Sequence, residues 1–389
     1  MTSKTKIGDK IVLFANTDWY LYNFRRSLAQ ELKDQGYGLL LISPPGPYGE
    51  KLRALGFRWE PLPMDRRSLN PFREFALLLH LWRLFRRERP ALVHNFTIKC
   101  AVYGSLAARA ARVPARINAV AGMGYVFTND DLKARLLRPL VRALMHLALD
   151  GKNARLVLQN PDDVALFEKA GFVDMANVRL IPGSGVDAVR FAEPGVQRGN
   201  PEQLRVLLSA RLLWDKGVAE FVDAARELRA EGRAIEFVLA GDPDPGNPAS
   251  IPESSLRAWQ DEGLLTCMGH VSDMPALLTS VDMMVLPSYR EGLPKGLIEA
   301  AACALPLVTT DVPGCREVVT DGVDGLLVPV RDARALARAI ARLQDDPSLA
   351  RRLGRAARAK VLERFDERIV IAHTVVVYGE SLTAQTRGG

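Results

Sequence analysis

At 389 residues, with 48% hydrophobic and 25% charged residues, the chain has the balance of a globular protein and length for two domains, each with its own core. The N-terminus carries no apolar leader and no run approaches ~18 uninterrupted apolar residues, so neither a secretory signal nor a spanning helix is expected. Cys100, Cys267, Cys303 and Cys315 are scattered without a C-x-x-C or Cys/His pairing. They read as reduced packing residues of a cytoplasmic protein, which excludes a disulfide framework and a cysteine metal site. The net charge of +7 is uneven: residues 1–200 hold 30 Lys and Arg against 18 Asp and Glu, residues 201–389 hold 22 against 27. A basic half of this kind implies a polyanionic partner surface, either anionic lipid or nucleic acid.

In chain order, 11–15 reads as a buried strand, and Asn16-Thr17-Asp18-Trp19 starts a helix ending near Gln35-Gly36. Strands at 38–43, 57–62, 91–94, 115–120 and 155–158 then alternate with helical signals, which predicts a doubly wound parallel sheet. His94 and Asn95 fall at one strand end, and Gly122 and Gly124 follow another. A lone G-x-G reads equally as a tight strand–helix turn, and His94 equally as a hydrogen-bonded core imidazole. Two helices, 72–89 and 132–149, interleave arginines and lysines with large apolar residues. Such helices suit an anionic bilayer surface or, alternatively, cover a sheet with one solvated face.

The alternation lapses over 181–203, rich in Pro and Gly, which reads as the crossing into a second domain. A second series of strands follows at 204–209, 235–240, 264–268, 282–286, 305–309 and 325–328, and a last helix spans about 367–384. Arg211 and Lys216 lie where the first of these strands gives way to a helix. A guanidinium fork and a mobile ammonium there suit a diphosphate.

The stretch Pro287-Ser288-Tyr289-Arg290-Glu291-Gly292-Leu293-Pro294-Lys295-Gly296-Leu297-Ile298-Glu299-Ala300 follows the apolar run Met283-Met284-Val285-Leu286. A strand–turn–helix passage puts backbone N–H groups and the positive end of a helix dipole at the sheet edge, an anion site. Gly292 and Gly296, lacking Cβ, let a ligand approach the backbone. Carboxylates in such a place serve hydroxyl groups rather than phosphate, so Glu291 and Glu299 point to a ligand both polyhydroxylated and phosphorylated, such as a nucleotide sugar.

Glu291 to Glu299 resembles the E-x7-E motif of the retaining GT-B glycosyltransferases of family 4, embedded in L-P-S-x-x-E-G-x-P-x-x-x-x-E-A. Arg211 to Gly217 resembles the family's R-x4-K-G donor-phosphate motif. The runs 15–25, 93–99 and 119–127 are similar to the subgroup acting on undecaprenyl-diphosphate-linked sugars, including bacterial N-acetylgalactosaminyltransferases. The resemblance implies two Rossmann-like domains facing a cleft: 1–188, joined by the helix 367–389, for the acceptor, and 189–366 for the nucleotide sugar. It implies retaining, metal-independent transfer from a UDP-sugar, with no cofactor, to a polyprenyl-diphosphate-linked acceptor on the inner face of the inner membrane. Arg211, Lys216 and Glu291 would be catalytic. Ser209, Gly292, Leu293, Pro294, Lys295, Gly296 and Glu299 would bind the donor, with Glu299 on the ribose. Asp18, Trp19, His94, Asn95, Gly122 and Gly124 would line the acceptor side. Many members carry a histidine after the fifth strand where this chain has Ala121 or Gly122, so that role is not carried over. Asp242-Pro243-Asp244 mimics the metal motif of the other transferase fold but sits in a Pro/Gly-rich loop, and reads as solvated. The alternatives are a GT-B sugar-nucleotide epimerase and a basic nucleic-acid-binding protein; the second would need aromatic platforms or a binding module that the sequence does not offer.

Overall fold

The structure, a computed structural model, describes residues 9–120 apart from 66, 67 and 69, residue 139, residues 143–192 apart from 172, and residues 203–383. The chain divides into two compact units, Met1–Ser184 with Val370–Gly389, and Gly185–Ile369, against expected breaks after 188 and 366.

The first unit holds seven strands: β1 (Lys10–Phe14), β2 (Gly38–Ser43), β3 (Trp59–Pro61), β4 (Leu92–Phe96), β5 (Ala115–Ala119), β6 (Ala154–Leu158) and β7 (Val178–Leu180). They form one all-parallel sheet in the order β3-β2-β1-β4-β5-β6-β7. Both faces are buried, which is why the strands read as continuous apolar runs. Side-chain alternation along β1 sorts Ile11 and Leu13 into one core with Val370, Val377 and Tyr378. Val12 and Phe14 enter the other, with Leu77, Leu81 and Phe85 of the helix Pro71–Glu88.

Two elements differ from expectation. β7 was not anticipated: three residues with an arginine at the centre make no apolar run, and the strand is an edge. The segment after β1 is not one helix, because a π turn, Leu21–Arg25, separates Asp18–Tyr20 from Arg26–Asp34. The last helix, Glu367–Thr383, joins this unit from Val370 onward. Its Tyr378, 1% exposed, shares a hydrogen bond of 2.6 Å with Nδ1 of His94 in β4.

The second unit repeats the topology with six strands: β8 (Leu204–Ser209), β9 (Ile235–Ala240), β10 (Thr266–Gly269), β11 (Met283–Leu286), β12 (Leu307–Thr310) and β13 (Leu326–Val328). Their order is β10-β9-β8-β11-β12-β13, all parallel. In each sheet the strand order reverses direction beside the first strand, between β1 and β4 and between β8 and β11. The carboxyl ends of strands at such a reversal are where open α/β sheets bind ligands.

Candidate active site

The reversal in the second unit is built from two turns, one after β8 and one after β11. β11 is buried along its whole length, and Pro287 and Ser288 continue it inward. The turn Trp214–Lys216 docks directly on that segment, since a Cβ on Gly217 would lie 2.1 Å from the carbonyl oxygen of Pro287. Gly217 also has φ of 72°, a left-handed conformation that favours glycine. The amide of Tyr289 donates to the Asp215 carbonyl at 2.9 Å, tying the two turns together. On the other side, a Cβ on Gly314 (φ 80°) would meet the Glu291 carbonyl oxygen at 2.6 Å.

These backbone contacts bring three side chains to one point. Oε1 of Glu291 accepts from Lys216 Nζ at 2.5 Å and from Ser288 Oγ at 2.7 Å. The Lys216 and Glu291 side chains are 17% and 12% exposed, so the pair is sheltered but reachable. Thr310 Oγ1, at the end of β12, donates to the Ser288 carbonyl and fixes the turn from below. An ammonium has three donors; one is spent on Glu291, and two remain for an anion. The Cys315 thiol lies beneath, fully buried, and burial pushes it up to about 12, with Glu291 adding to the rise. A thiol so held is no nucleophile.

The helix Lys295–Ala302 starts just beyond, with Pro294 at its cap position and no side-chain cap, so its first turn presents backbone N–H groups at the sheet edge. Gly296 serves packing there: a Cβ would stand 3.4 Å from the Ser209 carbonyl oxygen, and Met284 lies next nearest. Ser209 Oγ itself faces Met274 Sδ at 3.9 Å. Glu299 sits one turn into the helix with its side chain 14% exposed, 3.8 Å from Lys295 Nζ. Burial raises its carboxyl above the ordinary range, against the pull of Lys295 and Arg190.

Arg211 stands apart from the Lys216–Glu291 pair in its bonding. Its guanidinium, 63% exposed, donates to Asp244 Oδ2 at 3.0 Å, and Asn247 Nδ2 donates to the same oxygen at 3.2 Å. The Asp244 carboxylate thus organises its own loop. Tyr289 is a contributor that sequence reasoning missed: its hydroxyl donates to Glu220 at 2.8 Å, Arg331 lies 4.6 Å from its ring centre, and burial pushes the phenol up to about 12. Ser288 was missed too, although a serine three residues before a glutamate is a recognisable hydrogen-bonding spacing.

In the first unit the expected acceptor-side residues are mostly spent inside the fold. Asp18, 4% exposed, accepts from the amides of Trp19, Tyr48 and Gly49 at 2.8, 2.7 and 2.9 Å, so its carboxylate clasps the 46–49 turn instead of lining an open face. A Cβ on Gly46 would fall 2.4 Å from Asp18 Oδ1. His94 is 2% exposed, and burial lowers its pKa well below the usual histidine value, so it is neutral. Asn95 is fully buried and donates to Asn118 Oδ1 at 2.9 Å. Both side chains are buried where a lining role was expected, in a central strand covered on both faces. Trp19 alone among the described members of this set is open, 41% exposed beside Phe24. Gly122 and Gly124, like most of 132–149, lie outside the described residues.

Two doubly wound units in tandem, one with a cation–carboxylate pair and a helix N-terminus at its strand reversal, have the architecture of the GT-B fold. Residues 10–160 match the family described as Glycosyl transferase 4-like, and residues 203–346 match Glycosyl transferases group 1. The chain belongs to the glycosyl transferases.

It is 28% identical over 368 residues to the Campylobacter jejuni N,N'-diacetylbacillosaminyl-diphospho-undecaprenol alpha-1,3-N-acetylgalactosaminyltransferase, covering 92% of this chain and 95% of that enzyme. It is 26% identical over 300 residues to the Escherichia coli UDP-Gal:alpha-D-GlcNAc-diphosphoundecaprenol alpha-1,3-galactosyltransferase, covering 74% of this chain and 75% of that one. Among solved structures, Anabaena HepE in complex with UDP superposes with a TM-score of 0.76 at 18% identity, over 95% of this chain and 100% of that one. A glycosyltransferase from Rickettsia africae gives 0.77 at 18% identity, over 97% and 99%. Nothing in these comparisons supports the epimerase or nucleic-acid readings.

Proposed function

We propose that this glycosyltransferase is a retaining, metal-independent family 4 enzyme that moves an N-acetylhexosamine from a UDP-sugar to a polyprenyl-diphosphate-linked glycan. The acceptor would be met at the cytoplasmic face of the inner membrane, with the first unit holding it. The observation that carries the reading is the Lys216–Glu291–Ser288 cluster at the strand reversal, with Glu299 on the helix that follows. Support for the substrates comes from the Campylobacter and Escherichia enzymes, both named for acting on undecaprenyl-diphosphate-linked sugars.

In this reading the acceptor oxygen bonds to the sugar C1 from the face that the leaving diphosphate vacates. The C1–O bond to the β-phosphate breaks, and the acceptor proton passes to the leaving phosphate oxygen, so no enzymic nucleophile is needed. Lys216 neutralises the charge that develops on the diphosphate, the electrostatic contribution that dominates such reactions. Arg211 exchanges Asp244 for a phosphate oxygen. Glu291 orients Lys216 and the donor sugar, the backbone of Gly292–Gly296 faces the phosphate, and Glu299 accepts from the ribose hydroxyls. Metal independence is favoured because Lys216 and Arg211 supply the cationic charge that a metal would otherwise bring to the diphosphate, and Asn247 still donates to Asp244 once Arg211 has left it.

The test is transfer from a panel of UDP-N-acetylhexosamines to a detergent-dispersed undecaprenyl-diphosphate disaccharide, followed by mass spectrometry with and without chelator. A glycan longer by one N-acetylhexosamine, formed equally in chelator, is expected. Loss of activity in chelator would return Asp242 and Asp244 as metal ligands, and nucleotide-sugar consumption without glycan growth would remove the acceptor.

A further inference from the structure

The helix Pro71–Glu88 buries Glu74, Leu77, Leu81, Leu84, Phe85 and Glu88. Its opposite side is not a plain solvated face. Phe72 is 85% exposed, Phe75 68% and Trp82 36%, and with the partly buried Leu79 they follow one another at three- and four-residue spacing along a single stripe. Arg86 lies within the stripe, Arg83 beside it and Arg73 next to Phe72 in the first turn, all three exposed and without a carboxylate partner among the described residues. The helix has only two acids, Glu74 and Glu88, and both point inward. The outward face is therefore apolar and cationic, with no negative charge.

The helix cannot roll to hide these aromatics. At its start Asn70 Oδ1 caps the amides of Phe72 and Arg73 at 3.0 and 3.3 Å, and Glu74 pairs with Lys99 at 2.8 Å. At its end Glu88 takes Lys10 and Arg58, each at 2.7 Å. Rotation would break both clamps. Arg87 belongs to the second clamp, bound to Glu60 at 2.7 Å and Glu88 at 3.0 Å, and so is not part of the free face.

We propose that this face docks on an anionic lipid bilayer, Phe72, Phe75 and Trp82 entering the interface and Arg73, Arg83 and Arg86 meeting the headgroups. Aromatic rings beside arginines on an amphipathic helix match the chemistry of the headgroup–acyl boundary. A second copy of the chain would set this positive face against itself, which disfavours pairing. The inference rests on the lipid-linked acceptor for its purpose, since an enzyme using a substrate that stays in the bilayer must reach it there.

The test is sedimentation of the full chain with phosphatidylglycerol/phosphatidylethanolamine vesicles and with phosphatidylcholine vesicles at moderate salt. Wild type is expected to sediment with the anionic vesicles only. Phe72→Ser with Phe75→Ser should lower partitioning about a hundredfold, two large apolar groups being withheld from the interface. Arg83→Gln with Arg86→Gln should lower it about tenfold or more. Both variants should keep the wild-type unfolding temperature and transfer to detergent-dispersed acceptor. Wild type left in the supernatant while it extends the acceptor in detergent would overturn the docking surface and leave the function standing. Equal sedimentation of wild type and the double phenylalanine variant would overturn it too, as would a variant that changes only the mass of the protein in solution. Absence of transfer in detergent is the separate failure of the functional reading.

Discussion

Lys216 and Glu291 are 75 positions apart in the chain and 2.5 Å apart in the fold. Their pairing gives each a fixed direction, and that direction is what a transition state stabilised by charge requires. Lys216→Ala should lower turnover on the order of 10²–10³ with the unfolding temperature little changed; near-normal steady-state rates would remove Lys216 from the diphosphate. Glu299→Gln should weaken UDP binding by about 1.5–3 kcal/mol, the loss of a charged hydrogen bond to ribose, read by calorimetry. Unchanged affinity would reassign the residue. The same glutamate carries a pH signature. Burial raises its folded pKa, so between the ordinary value and the raised one the folded chain holds a proton that the unfolded chain has released. Stability therefore falls as pH rises through that window. Thermal unfolding of Glu299→Gln against wild type should lack this slope, and parallel profiles would contradict it. At this scale the sequence was informative about which residues to consider and silent about partners: Glu291, Glu299 and Lys216 stood out by their place at strand–helix turns and by their resemblance to family motifs. Their bonding did not, because Ser288 and Thr310 act through turns that only the folded backbone brings together. Asp18 shows the opposite case, a polar residue at a helix start whose carboxylate is consumed by three amides.

The elements owe their positions to a few close approaches and buried ions. Gly217 lets the β8 turn lie on Pro287, so Gly217→Ala should both strain the backbone and push the turns apart. A loss of more than about 1 kcal/mol in chemical denaturation is expected, and a neutral result would mean the turn relaxes freely. The helix Pro71–Glu88 depends on its clamps. Arg58 foremost, then Lys10 and Arg87, holds the Glu88 carboxyl well below the usual carboxylate range. A depressed acid contributes stability above its unfolded value and loses it as pH falls through the acid range. Glu88→Gln should thus cost about 1–2 kcal/mol near neutral pH, discounted because its basic partners are partly exposed. That difference should shrink toward pH 3, and a constant difference across pH would deny the clamp. Long apolar runs such as Met283–Leu286 announced their strands, being buried on both faces. Short edge strands such as Val178–Leu180 did not, and the helix over 71–88 was legible as a helix without revealing which apolar stripe faced inward, since both stripes are apolar.

Across the whole molecule, each unit by itself carries the same parallel topology with the same reversal beside its first strand, and the two matched halves of the chain follow that division. The tandem of alternating signals made this visible from sequence, while the boundary near 184 lay in a Pro/Gly-rich stretch that marks a crossing without fixing its residue. Some cations of residues 1–200 are engaged by internal pairs such as Arg58–Glu88 and Lys99–Glu74; these pairs leave the net excess unchanged but decide which cations are left at the surface. No helix among the described residues is long and apolar enough to cross a membrane. The proposed retention during transfer to a lipid-diphosphate glycan is written in the anomeric configuration of the product. The most direct measurement is the anomeric proton coupling, by nuclear magnetic resonance, of the sugar newly added from an α-configured UDP-N-acetylhexosamine. The small coupling of an α-linked gluco- or galacto-configured residue is expected. A large β coupling, or a nucleotide sugar consumed with no new anomeric signal on the glycan, would contradict it.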